Sequence, residues 1–403
     1  MKRYKWFCIH CVIVVIHGFS VSATTNVVRF RPLSPQAEIS LITCSPSEDA
    51  VFTVYGHTAL RVYDPEIKID RVYNYGIFDF SKPNFIYRFA KGETDYILGT
   101  SSFSYFLLEY ISRGSEVYEQ ILNLQQKEKE MLWNALEWNA LPENRVYRYN
   151  FFFDNCATRP VDMIENNIQG IINYASESEL PTFRDIINYC TRERPWQTFG
   201  CDLVMGLPTD RTMTQRETFF IPDKVKDAFN NAEIVREGIA EPLVKRINVI
   251  AEAECETPKA FSFYHTPLFC ASALFFFILL LTLIEWHKKI YCRFVDILLF
   301  LAAGMAGCIL FFLSFISVHP SIFPNISLLW AHPLHLIGIL FIAIKKWKML
   351  AYWYHFINFA VILLMSVGWF FLPQHINIAF IPLIASLWLR SGGTLIRTKN
   401  SKG

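Results

Sequence analysis

The sequence predicts an α+β domain held outside the cytoplasm, followed by an α-helical membrane bundle of about five spans. Three observations lead there. Residues from about Val27 to Lys259 are an ordinary water-soluble mixture, whereas from Pro267 onward the chain is almost continuously apolar. The N-terminus has the layout of an export signal. Basic residues alternate between the connections of the apolar part, as a multi-span topology requires.

The export signal is expected over residues 1–23. Lys2, Arg3 and Lys5 supply its positive start, Phe7 to Ile16 its short apolar core, and Val21-Ser22-Ala23 a small-residue cleavage site. Residues 24–265 then form the outer domain. Residues 38–44 read as a first strand. Gly56-His57 opens a second strand over Thr58–Tyr63, and "DRVYNYGIFDF" returns after a turn at Asp64–Ile69 as the other arm of a hairpin. Short helices are expected over Asn84–Lys91 and Ser104–Ser112, a strand over Glu116–Leu122, and an amphipathic helix over Gln125–Asn139. Tyr147–Phe153 is aromatic and reads as extended chain. From Ala157 the spacing of Val161, Ile164 and Ile168 is helical, with Asp154 or Asn155 as N-cap and Pro160 confined to the first turn. "RPWQTFGCDLVMGLPTDR" (Arg194–Arg211) is punctuated by Gly and Pro and reads as a loop-rich lid or packing arm. Irregular alternation of strands and helices suits an α+β domain.

The membrane part, residues 266–390, divides into Pro267–Trp286, Phe294–Ile316, Leu328–Ile344, Tyr352–Phe371 and a short Ile376–Leu389 that contains Pro382. Lys288, Lys289 and Arg293 lie in the first connection, Lys345, Lys346 and Lys348 in the third. Arg390, Arg397, Lys399 and Lys402 lie at the end, where residues 391–403 form a basic cytoplasmic tail. The second and fourth connections carry no Lys or Arg, so they face outward together with the whole α+β domain.

Composition excludes several function classes. The net charge of +2 gives no electrostatic footprint for nucleic acid. The chain has no Walker loop, no Gly-rich dinucleotide signature and no paired Cys/His metal spacing, so neither cofactor nor metal is expected. Cys44, Cys156, Cys190, Cys201 and Cys255 sit in the exported part, an odd number in an oxidising compartment. Cys190 and Cys201 are near enough in sequence to bridge.

Cys156 stands at a helix start, where free amides and the helix dipole favour thiolate and could hold an oxyanion. His57 is the histidine placed to serve it as base. The alternative readings are a small buried residue for Cys156 and a hydrogen-bonded core histidine for His57. Asn74, on the partner strand, is placed to hold the imidazole's other nitrogen, with Asp79 as reserve. Asn155 and Asp154 flank the thiol as oxyanion or positioning residues. His332, His335 and Asn325, near the outer end of the third span, read either as lining of a lipid-facing cavity or as interfacial residues beside Trp330. His265, at the membrane edge, is the remaining exported candidate base.

The order "GH" at a strand start and "NC" at a helix start resembles circularly permuted papain-like (NlpC-type) enzymes. More closely, "YGHTALRV", "VYNYGIFDF", "YNFFFDNCATRP" and "PWQTFGCDLVMGLPTDR", followed by spans that include "HPLHL", resemble the Lnb family of lipoprotein N-acyltransferases. The resemblance implies a papain-like outer domain in the periplasm and a multi-pass location in the bacterial inner membrane. It also implies transfer of an acyl chain from a membrane phospholipid to the amino group of an exported lipoprotein's lipidated N-terminal cysteine. His57 and Cys156 carry over onto the family's dyad. A membrane-tethered cysteine hydrolase, cutting cell-wall peptide or phospholipid ester, is the alternative with the same dyad, and an inactive relative serving assembly is the third.

Overall fold

The computed structural model describes residues 30–78, 83–253 and 262–400, the last three as backbone alone. The expected export signal, Asp79 and Cys255 lie outside the described residues. Strands are β1 (Glu38–Cys44), β2 (His57–Asp64), β3 (Ile69–Ile77), β4 (Asp95–Ser102), β5 (Val117–Leu122), β6 (Val146–Arg148), β7 (Ile171–Asn173), β8 (Glu233–Arg236), β9 (Ile239–Pro242) and β10 (Val244–Ala251). Helices of the same region are α1 (Phe85–Lys91), α2 (Phe103–Ser112), α3 (Gln126–Ala140), α4 (Thr158–Asn167), α5 (Phe183–Thr191), α6 (Pro195–Val204), α7 (Gln215–Thr218) and α8 (Pro222–Asn230). The remainder comprises α9 (Pro267–Lys288), α10 (Arg293–Phe315), α11 (Leu334–Ala343), α12 (Lys348–Val367) and α13 (Phe380–Asn400).

Seven strands form one antiparallel sheet in the order β10-β5-β1-β2-β3-β4-β6, and β7-β8-β9 form a small second sheet. Alternation along the strands sends side chains to two cores. Ile39, Leu41, Leu60, Val62, Tyr73 and Tyr75 face α3, α4 and α8, whereas Ile42, Cys44, Ala59 and Val72 face α2. His57 and Asn74 share parity with Ala59 and Val72, so both belong to the face that α2 covers. The expected hairpin is present, with Leu60 opposite Tyr73 and Asp64 opposite Ile69. Tyr147–Phe153 is not one extended run. Only Val146–Arg148 is strand; Phe151–Phe153 form a turn closed by a backbone bridge between Asn150 and Asp154, which packs their rings under α5 instead.

Arg194–Arg211 is chiefly helix α6 and a following 3₁₀ turn rather than a loop-rich lid, because Pro195 fits the first helical position and Gly200 is tolerated inside. Its packing role holds. Phe199, Leu203 and Val204 enter the core of the bundle, with Phe199 edge-on to Phe380 at 4.9 Å. Gly206 N donates to Ser321 O at 2.9 Å, Leu207 N to Pro324 O at 2.8 Å, and Gln374 Nε2 to Met205 O at 3.2 Å. The fully buried Arg184 of α5 holds this arm, with Asp202 at 2.9 Å, Asp210 at 2.8 Å and the Met205 carbonyl at 2.9 Å.

Among the described residues, four segments are long and apolar enough to cross a membrane: Pro267–Lys288, Arg293–Phe315, Ile326–Ala343 and Lys345–Val367. The fifth segment, expected over Ile376–Leu389, is a helix that starts later and runs on unbroken to Asn400. Arg390 is not a free basic residue at a membrane edge. It is wholly buried, paired with Glu285 at 2.8 Å and with Asp296, while Arg397 also reaches Glu285 at 2.8 Å. Neutralisation by two carboxylates is what lets an arginine sit inside a bundle.

Candidate active site

The site forms where the start of β2 meets the start of α4. Gly56 has φ +74°, and a Cβ there would lie 2.8 Å from the Cys44 carbonyl, so only glycine lets the chain turn tightly into β2. His57 follows, opposite Cys44 on β1. Its Nε2–H donates to Asn74 Oδ1 at 2.6 Å, which leaves Nδ1 with its lone pair. Tyr110 of α2 stacks on the imidazole, with centroids 5.6 Å apart and planes 16° from parallel. The expected His57–Asn74 pair is therefore present.

Cys156 comes from the other side. A bulge in β3 between Asn74 and Ile77 brings Gly76 against it, and a Cβ on Gly76 would lie 3.2 Å from the Cys156 Cβ. The backbone amides of Thr58 and of Cys156 itself lie near enough to the sulfur to favour its thiolate form. Thr58 is the residue after His57, so one peptide unit separates the imidazole's residue from an amide that acts on the thiol. Among the described residues the imidazole has one side-chain hydrogen bond, to Asn74, and none to the sulfur. The thiol is free, as are Cys44, Cys190, Cys201, Cys270, Cys292 and Cys308. The bridge considered between Cys190 and Cys201 is thus absent here, although both pack against the same cluster as Tyr55 and Phe151.

The flanking residues divide. Asn155 is buried and fully engaged. Its Nδ2 donates to the Phe151 and Phe220 carbonyls, each at 2.8 Å, and its Oδ1 accepts from the Ala157 and Thr158 amides at 2.8 and 3.0 Å. It ties down the chain just ahead of α4, and it positions the thiol's loop with no donor left for an oxyanion. Asp154 is turned away into a two-pronged pair with Arg159, at 2.5 and 2.8 Å. His332, His335 and Asn325 serve the bundle. The two imidazoles stack at 3.8 Å, His335 bonds Tyr354 at 2.6 Å and the Trp330 carbonyl at 2.9 Å, and Asn325 Nδ2 donates to the Leu203 carbonyl at 3.0 Å. His265 offers its carbonyl to Trp196 at 2.6 Å.

Burial works against the lowered thiol pKa expected at a helix start. Burial pushes the Cys156 thiol up to about 11, against the opposing pull of the Thr58 and Cys156 amides. Burial also lowers His57 to about 4, with the Arg113 charge acting in the same sense and the Asn74 bond opposing. The helix-start amides of Ala157 and Thr158, which would have favoured thiolate, are already taken by Asn155. At neutral pH the pair rests as thiol and neutral imidazole, so a thiolate forms only as a base removes the proton. Iodoacetamide at pH 7 should accordingly label Cys156 roughly 300-fold more slowly than an ordinary thiol, and the rate should climb with pH towards 11. Peptide mass spectrometry separates it from the other cysteines; rapid labelling near pH 6 would show an ion pair instead.

Sequence reasoning missed Thr58, whose backbone amide lies near the sulfur, Tyr110, on an expected helix but with no signal of its contact with His57, and Gly76. A glycine within the strand pattern "VYNYGIFDF" is the one trace of the last.

A sheet-and-helix domain docked on a helical bundle, with Cys156 at the start of α4 near the strand that begins at His57, defines a membrane protein carrying a candidate thiol centre. Two family models match: the Lnb N-terminal periplasmic domain over residues 35–189 and the Lnb transmembrane domain over residues 258–402. The chain belongs to the Lnb family, and that membership supports a membrane enzyme of lipoprotein processing with its first domain in the periplasm. No curated protein and no solved structure matches it.

Proposed function

We propose that the protein is a lipoprotein N-acyltransferase of the bacterial inner membrane, with a permuted papain-like outer domain that works through a Cys156 thioester. The observation that carries the reading is the start of α4, with Cys156 free, set against the start of β2, where His57 is bonded to Asn74 at 2.6 Å. His57 Nδ1 takes the thiol proton as the sulfur attacks an ester carbonyl of a membrane phospholipid. The carbonyl oxygen turns its negative charge towards the amides of Thr58 and Cys156. The carbon–oxygen bond then breaks, His57 returns the proton to the leaving alcohol, and the acyl group remains on sulfur. The α-amino group of the lipoprotein's N-terminal cysteine next attacks the thioester. His57 accepts an amine proton and restores the Cys156 thiol. Docking on a bundle keeps the centre at the bilayer surface, where the donor is abundant.

The test is the intact mass of an exported lipoprotein's N-terminal peptide. Cells lacking this protein should show it one acyl chain lighter. Unchanged acylation with accumulation of uncut wall peptides or phospholipid would instead select the hydrolase.

A further inference from the structure

Helix α1 has no buried residue, and Ile86, Tyr87 and Phe89 on it are 81%, 54% and 48% exposed. Its charges are already matched inside the protein, Arg88 by Asp95 at 3.0 Å and Lys91 by Glu93 at 2.8 Å. What it offers outward is apolar. It also sits on the end of the bundle: Tyr87 packs on Phe312 of α10 at 5.8 Å, Val318 N donates to Lys91 O at 2.9 Å, and His319 Nε2 meets Phe89 O at 3.0 Å. On α10 itself Ile309, Phe311 and Phe315 are exposed, as lipid-facing residues of a span must be. The exposed side chains of α1 therefore extend the lipid-facing surface of α10.

From this end a row of rings leads inward. Phe89 stacks on Phe85 at 6.2 Å, Phe85 on Phe78 at 5.8 Å, Phe78 contacts Tyr96 at 5.1 Å, and Tyr96 stacks on Tyr149 at 4.0 Å. Phe78 lies two residues beyond Gly76, the residue in contact with Cys156. Among the described residues, the contacts that join this row are between aromatic rings. A peptide or a headgroup would need polar partners along such a path; a hydrocarbon chain needs none.

Building on the acyl-transfer reading, we propose that α1 is where an acyl chain of a bilayer lipid leaves the membrane, and that the rings from Phe89 to Tyr149 form the track that leads it to Cys156. The full chain in liposomes tests this with two donors, a long-chain phosphatidylethanolamine in the bilayer and water-soluble dibutyryl phosphatidylcholine, read as acyl mass on the Cys156 peptide. The variant Ile86→Ser/Phe89→Ser should lose roughly tenfold or more of its acylation rate from the bilayer donor and stay within about twofold for the soluble one. An undiminished rate from the bilayer donor overturns the track. A photo-crosslinking residue at position 86, with a second protein carrying it at the exposed Ile239 of the small sheet, decides independently of the variant's folding or of any turnover. Capture of lipid from position 86 and not from 239 supports the track; capture of lipoprotein peptide at 86, or of no lipid there, overturns it. Wild-type Cys156 that takes acyl from neither donor would sink the acyl-transfer reading itself, while the crosslink still reports on where α1 lies.

Discussion

Cys156→Ala is expected to abolish acyl transfer, by a factor on the order of 10⁴–10⁶, and to leave exported lipoproteins one chain short. The loss is this large because, among the described residues, no neighbouring group can replace the sulfur. Cys44 is buried within the sheet and Asp154 is committed to Arg159, so neither supplies a second nucleophile. Folding should be nearly untouched. The substitution removes one atom, keeps the Cβ that meets Gly76, and leaves the Asn155 bonds to the Ala157 and Thr158 amides intact. Thermal unfolding should then stay within about 1 kcal/mol of the parent. Cys156→Ser should retain little, since the thiol here is already hard to deprotonate and an alcohol is a much weaker acid. Lipoprotein that remains fully acylated in cells carrying only the alanine protein would remove Cys156 from the chemistry.

The resting state also sets a pH dependence with a definite sign. His57 is competent as a base only when neutral, and its pKa is lowered to about 4. Activity should therefore hold as pH falls through 6.5, where an ordinary imidazole would protonate, and decline only towards 4. The same shift costs stability in acid: an unfolded chain takes up the proton near 6.5 and the folded one does not, so stability falls between about 6.5 and 4.

Much of this was legible in the chain. The β2–β3 hairpin follows from alternation around "HTALRVYD", and Asn74 on the partner strand, within side-chain reach of His57, follows from the hairpin. The membrane part follows from composition, which no local folding detail disturbs. What escaped depends on contacts between distant segments. "DYILGTSS" is polar and contains Gly99, so only pairing with β3 and β6 makes it a strand. The triple phenylalanine is β-prone alone, yet the Asn150–Asp154 bridge makes it a turn. Neutrality of the thiol depends on how tightly the surrounding chain closes over Cys156. Arg390 looked like a membrane-edge charge because Glu285 and Asp296, which bury it, lie about a hundred positions away.

Arg184→Met is expected to destabilise the docked arm by about 3–5 kcal/mol, the cost of leaving buried carboxylates without their cation. The argument rests on what the guanidinium joins. It pairs with Asp202 and Asp210, and it also donates to the carbonyl of Met205. Asp202 in turn accepts from Asn377 at 2.8 Å, and Asp210 from the His375 amide at 3.2 Å, both in the segment leading into α13. One side chain thus fixes α6 and the 3₁₀ turn against the bundle. Two opposing explanations for any loss can be separated. If unpaired charge is the cause, R184M/D202N/D210N should recover part of the stability, because neutral amides are cheaper to bury. If the lost packing volume is the cause, the triple protein should be no better than the single one, since methionine already fills much of the arginine's space. A thermal shift of less than about 2 °C for Arg184→Met would show that the apolar contacts of Phe199, Leu203 and Val204 hold the arm alone.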